Sequence, residues 1–205
     1  LTSGTYNIAI GTSAGSAITA GQRNVAIGYG ALVAATSGTD NVAIGYAALD
    51  TLTSGTYNIA IGTSAGSAVT SGAYNVFLGG NAGAAITTGT NNVAIGFGCL
   101  DAAVGATDNV CIGSSAGGAI SSATYNTFVG VQAGNGTNTG ESNTYIGYQA
   151  GRSATTGTFN VGIGASVLLG ILTGSYNVAI GSSAGAALTT GANNVLIGIS
   201  TATAL

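Results

Sequence analysis

The stretch "LTSGTYNIAIGTSAGSA" occupies residues 1–17, and the same seventeen letters return unchanged at 52–68. The interval, 51 residues, is three times seventeen. Set out in rows of seventeen, the chain has Asn7, Asn24, Asn41, Asn58, Asn75, Asn92, Asn109, Asn126, Asn143, Asn160, Asn177 and Asn194 in one column. A glycine follows each of them four residues later, from Gly11, Gly28, Gly45 and Gly62 through to Gly198. Counted from its Asn, a row reads N-[VIT]-x-[ILV]-G-x-x-A-[GL]-x-x-[ILVA]-[TS]-[ST]-G-[TA]-[YDN]. Self-similarity at a short fixed period identifies a repeat architecture and takes precedence over any local structure assignment.

Seventeen residues are too few for a strand-helix-strand unit. The row opens with a period-two segment, as in Asn41-Val42-Ala43-Ile44-Gly45, which is the alternation of a β-strand. The fold expected is therefore all-β: a parallel β-solenoid of twelve coils spanning residues 1–205 as one array, each strand pairing with its equivalent about 4.8 Å away. Such a rod is about 55–60 Å long.

Column variability suggests which face is inside. The second and fourth columns stay aliphatic, with Thr127 and Thr144 as exceptions, whereas the third holds Ala9, Phe77, Cys111, Phe128, Tyr145, Gly162 and Leu196. A close-packed core tolerates little change of volume. The second and fourth columns are accordingly expected inside and the third outside, making Phe77, Phe128, Tyr145 and Leu196 the candidate interface. The eighth column (Ala14, Ala31, Ala48) and the twelfth (Leu1, Ile18, Leu52, Val69) complete the expected interior. The Asn and Gly columns read as corners: Gly supplies positive φ, and stacked Asn amides can hydrogen-bond from coil to coil.

Composition removes most chemistry. Charged residues make up 3% of the 205, with no His, and the net charge is −3, against about 25% charged residues in ordinary domains. Without His or Lys there is no Ser-His-Asp or Cys-His arrangement, so no catalytic residue is assigned and the chain is read as a non-enzyme. Asp50 and Asp101 share a column but stand three coils apart, about 14 Å, beyond the reach of a glycosidase pair. Arg23 and Asp40 are placed to form a surface ion pair. Cys99 and Cys111, expected inward and outward respectively, lack metal-ligand or disulfide spacing. No cofactor or metal is expected. Two arginines provide no footprint for nucleic acid, and no run is apolar enough for a spanning helix.

The thirteen aromatics fall in three columns. Tyr29 with Tyr46, and Tyr57 with Tyr74, are positioned to stack from coil to coil; a carbohydrate-binding strip is the functional alternative. The segments Ser3-Gly4-Thr5, Ser37-Gly38-Thr39, Ser54-Gly55-Thr56, Thr88-Gly89-Thr90 and Thr156-Gly157-Thr158 resemble the T-x-T ranks of ice-binding solenoids.

The phrase N-V-A-I-G-Y-x-A-L at Asn24–Leu32 and Asn41–Leu49, and Asn143-Thr144-Tyr145-Ile146-Gly147-Tyr148-Gln149-Ala150-Gly151, are similar to two groups of repeats. One is the N-T-A-I-G-Y-Q-A-L repeat of phage and bacterial tail-fibre-like proteins. The other is the S-V-A-I-G head repeat of trimeric autotransporter adhesins, a left-handed parallel β-roll in a trimer. The resemblance implies an extracellular, cell-surface or virion fibre. Its partners would be further copies, joined as a lateral trimer or by head-to-tail stacking, and a cell-surface glycan or protein receptor. Leu1 and Leu205 both occupy the twelfth column, which suits end-to-end stacking and equally a segment of a longer fibre; the absent initiator Met suggests a processed or excised piece. The 51-residue echo reads as duplication of a three-coil block. Ice binding is the alternative function.

Overall fold

A computed structural model describes residues 3–202; Leu1 and Leu205 lie outside the described residues. The chain forms twelve three-residue strands, β1 (Ile8–Ile10) through β12 (Val195–Ile197), seventeen residues apart. They make one sheet in sequence order, every neighbouring pair parallel and in register, as in Val42 beside Ile59 and Ile44 beside Ile61. The architecture is a β-solenoid.

Each strand is short because both its ends are set by backbone conformation. The residue before the Asn is left-handed in coil after coil, with φ of 59° at Asp40, 56° at Tyr57 and 59° at Tyr74. After the strand comes the fifth-column glycine. At Gly45 φ is 135°, and a Cβ there would lie 2.6 Å from the Gly62 carbonyl oxygen. Glycine is thus required twice, by its own conformation and by the close approach of the next coil. Beyond the strands, turn backbone also bonds coil to coil: Ser64 N–H donates to Tyr46 O at 2.8 Å, and Thr53 N–H to Thr70 O at 2.8 Å. Seventeen residues return the chain to its starting column, so backbone groups find partners in adjacent coils, and the turns add bonds within a coil, as from Val69 N–H to Gly66 O at 3.0 Å.

The strand faces are the reverse of the sequence expectation. The third column is buried: Ala26, Ala43, Phe77, Cys111, Phe128 and Tyr145 are all 0% exposed. The second and fourth columns face outward, with Ile59 39% and Ile61 38% exposed. Phe77, Phe128 and Tyr145 are therefore core residues, and Leu196 packs partly buried against the same core; none is an outward interface. Cys111 is likewise inside, not outside.

The physical reason is a compensation between columns. Where the third column is large, the ninth is glycine: Phe77 packs on Gly83, Phe128 on Gly134, and Tyr145 on Gly151, each so closely that an added Cβ would strike the ring. At Ala26, Ala43, Ala94 and Gly162 of the third column the ninth is instead Leu32, Leu49, Leu100 or Leu168, all fully buried. In coils where both are small, Ala60 with Gly66 and Ala179 with Gly185, large side chains of adjacent coils reach in: Phe77 and Leu49 beside Gly66, and Leu168 and Leu196 beside Gly185. The two columns and the neighbouring coils fill the interior jointly although each column varies, which is what a close-packed interior requires. Buried Ile18, Leu52, Val69, Ile86 and Ile171 of the twelfth column close the core, each contributing about 1.5–3 kcal/mol of hydrophobic stabilisation.

Candidate interaction surface

The asparagines line the inside of one corner as a continuous hydrogen-bonded ladder. Asn24 Nδ2 donates to Asn7 Oδ1 at 3.0 Å and to Gly38 O at 2.7 Å, and Asn24 N–H donates to Asn7 Oδ1 at 2.9 Å. The pattern repeats from Asn41 to Asn24 and from Asn58 to Asn41. Each amide thus spends both its oxygen and its nitrogen inside the protein. Asn24, Asn41 and Asn58 are 0% exposed; they hold coils together and offer nothing to an external ligand. Gly11, Gly28, Gly45 and Gly62 form the adjacent stack of positive-φ turns. A second ladder escaped the sequence reading. In the thirteenth column the hydroxyls of Thr36, Thr53 and Thr70 donate to the carbonyls of Thr53, Thr70 and Thr87 at 3.1–3.2 Å. The recurrence of Ser or Thr there was its only signal.

What the rod presents to its surroundings is the outer face of the sheet. It carries two parallel ladders, from Ile8, Val25, Val42 and Ile59 onward and from Ile10, Ile27, Ile44 and Ile61 onward. None of the seven charged residues lies in either ladder. With side chains roughly a third exposed over twelve coils, the contiguous apolar area is on the order of 1,000 Å², above what a monomer ordinarily leaves in water. Exposed aromatics flank it: Tyr29, Tyr46, Phe97 and Tyr148 just after the strand, and Tyr57, Tyr74, Tyr125, Phe159 and Tyr176 just before it.

Several of these rings stack. Tyr29–Tyr46 centroids are 5.4 Å apart and 8° from parallel; Tyr57–Tyr74 are 5.0 Å and 6°; Phe159–Tyr176 are 5.0 Å and 9°. In each pair one face of each ring is covered by its mate, so the rings pack from coil to coil while remaining half or more exposed beside the apolar ladders.

Polar chemistry is sparse. Arg23 and Asp40 form a two-pronged pair, Nε to Oδ1 at 2.6 Å and Nη2 to Oδ2 at 2.7 Å, which lowers the Asp40 carboxyl and raises the Arg23 guanidinium from their ordinary values. Exposure makes such a pair a small contributor to stability. Burial pushes the Asp50 carboxyl up. Cys99 Sγ donates to Cys111 O at 3.0 Å, and burial raises the Cys111 thiol well above its ordinary range, so the thiolate needed for reactivity is suppressed. Tyr145 is buried with its hydroxyl donating to Asn143 Oδ1 at 3.4 Å. Among the described residues there is no ligand-sized pocket, no group of three or more metal-ligating side chains, and no helix long and apolar enough to cross a membrane. Comparison with protein-family profiles, with curated proteins and with solved structures finds no match.

Proposed function

We propose that this chain is a structural β-solenoid of an extracellular fibre or filament, of the phage tail-fibre or adhesin kind. In this reading rods associate side by side through the Val/Ile face, with attachment as the purpose of the whole fibre. The observation that carries it is the apolar face running over all twelve coils, broken only by Thr127 and Thr144. Covering about 1,000 Å² on each rod reaches the size of a stable protein interface. A further copy of the same rod is the natural occupant: ladders of equal spacing meet coil for coil, and no charge stands on the face to oppose it. The resemblance of the repeats to those of trimeric fibres favours three rods.

The ice-binding alternative would use the Ser/Thr-Gly-Thr segments. Among the described residues these lie in bends and irregular backbone, joined by one isolated bridge, Thr39–Thr56, and an ice-matching rank needs a flat strand face. Light scattering of the purified chain at micromolar concentration, with thermal hysteresis measured on the same sample, separates the two. An assembled mass, reduced to that of a single chain by Ile95→Lys, supports the fibre reading. A monomer with hysteresis would replace it by ice binding.

A further inference from the structure

Within the two outward ladders every residue is Val, Ile or Leu except Thr127 and Thr144. These two sit side by side in the second column, paired in register between β8 (Thr127–Val129) and β9 (Thr144–Ile146). Among the described residues neither hydroxyl has a hydrogen-bond partner within the chain. Both threonines belong to the outward Val/Ile face, and their backbone needs are already met: Thr127 N–H donates to Asn143 O and Thr144 N–H to Asn160 O, each at 2.8 Å. Strand formation gives no reason to prefer Thr here, since Val serves the same position in most other coils.

We infer that Thr127 and Thr144 form a polar layer that sets the alignment of associated rods: parallel, same coil against same coil, around an axis running along the second column. The inference rests on lateral association through the Val/Ile face. A hydroxyl buried against Val or Ile loses its water and gains nothing, whereas hydroxyls that meet can each donate to one neighbour and accept from another. Three threonines around a three-fold axis close such a ring without help from solvent. One buried polar position in an otherwise apolar seam is a known means of specifying register, at some expense of affinity.

Two alignments bring both threonines onto threonines, and the extent of the face decides between them. An antiparallel pair does so only when its two-fold axis passes between β8 and β9. Coils five to twelve then cover one another, leaving Ile8, Ile10, Val25, Ile27, Val42, Ile44, Ile59 and Ile61 in water. The parallel alignment matches both threonines and covers every coil.

The test is orientation measured by spin labels. Thr12 is exposed in the first coil, while Cys99 and Cys111 are buried, so a Thr12→Cys chain takes a single nitroxide while folded. Parallel alignment brings the labels of associated chains within about 30 Å, whereas a fully overlapped antiparallel pair separates them by eleven coil spacings, about 53 Å. The expected result is one short distance in the labelled chain. Adding Thr127→Val and Thr144→Val is expected to keep the assembled mass but at least double the width of the distribution or add a long-distance population. A long distance in the labelled chain overturns the alignment while leaving lateral association intact. A single short distance retained in the double Val variant overturns the role of the threonines. A monomeric mass overturns lateral association itself, and the alignment with it.

Discussion

Truncating Asn92 in the sixth coil to alanine should cost about 2–6 kcal/mol, from two buried groups left without partners at roughly 1–3 kcal/mol each. Asn92 Nδ2 donates to Asn75 Oδ1 at 3.0 Å, Thr90 O at 3.1 Å and Ala106 O at 2.7 Å; its Oδ1 accepts the backbone N–H and Nδ2 of Asn109, both at 3.2 Å. Several of these partners survive the change. Asn75 Oδ1 keeps the Asn92 N–H at 3.0 Å, Thr90 O keeps the Asp108 N–H at 3.0 Å, and Asn109 Nδ2 keeps Thr107 O and Ala123 O at 2.9 Å. The Asn109 N–H and the Ala106 carbonyl are the groups stranded. Against a total stability of about 5–15 kcal/mol this is a large loss, and in a repeat array it opens locally between neighbouring coils. Urea unfolding followed by tyrosine fluorescence gives the global cost, and hydrogen exchange of the Asn109 amide gives the local one. Asn194→Ala is the control: Asn177 Oδ1 keeps the Asn194 N–H at 3.1 Å and Ala192 is exposed to water, so less than about 1 kcal/mol is expected. A loss below about 0.5 kcal/mol for Asn92→Ala, typical of an unstructured surface site, or equal losses for the two variants, would refute the view that the ladder holds the coils together.

The compensation between the third and ninth columns predicts strong coupling. Phe77→Ala alone should cost about 3–5 kcal/mol, and Phe77→Ala with Gly83→Leu, which recreates the pairing of Ala43 with Leu49, should recover at least about 1 kcal/mol in a double-mutant cycle; additive losses would contradict it. Thr137 is 0% exposed and its Oγ1 has no partner, so Thr137→Val should stabilise by about 1 kcal/mol in the same urea assay. Asp50 has a buried, unpartnered Oδ1 and a carboxyl raised by burial. A raised folded-state value means its contribution is most favourable below the ordinary carboxylate range and is lost as pH rises through the raised value. Asp50→Asn should therefore unfold at higher temperature than the natural chain near pH 7, with the gap closing near pH 3; a gap independent of pH would show that the carboxyl does not titrate as its burial implies.

Periodicity alone determined the larger part of this protein. A strict seventeen-residue row with a period-two opening leaves room for one strand per coil and for parallel, in-register stacking, because any other arrangement would place unlike columns together. Gly45 and its equivalents could be assigned to positive-φ corners from the sequence, and the column positions of Tyr29 and Tyr46 or Tyr57 and Tyr74 put their rings one strand spacing apart. The direction of the strand faces was not legible in the same way. Column variability pointed Phe77, Phe128 and Tyr145 outward, since a core was assumed to conserve each column separately. The folded chain fills its interior from both columns and from adjacent coils: Phe77 fills the space that Leu49 fills elsewhere, across a turn that brings the third and ninth columns together. That contact is tertiary. One sequence signal did carry the right parity, because an inward Asn41 makes Ala43 inward and Val42 and Ile44 outward. Recognising it requires knowing that the amide is buried in a ladder, which depends on the coil above and the coil below. The row therefore specifies what repeats, and only the packed interior decides which side of the repeat is left facing the world.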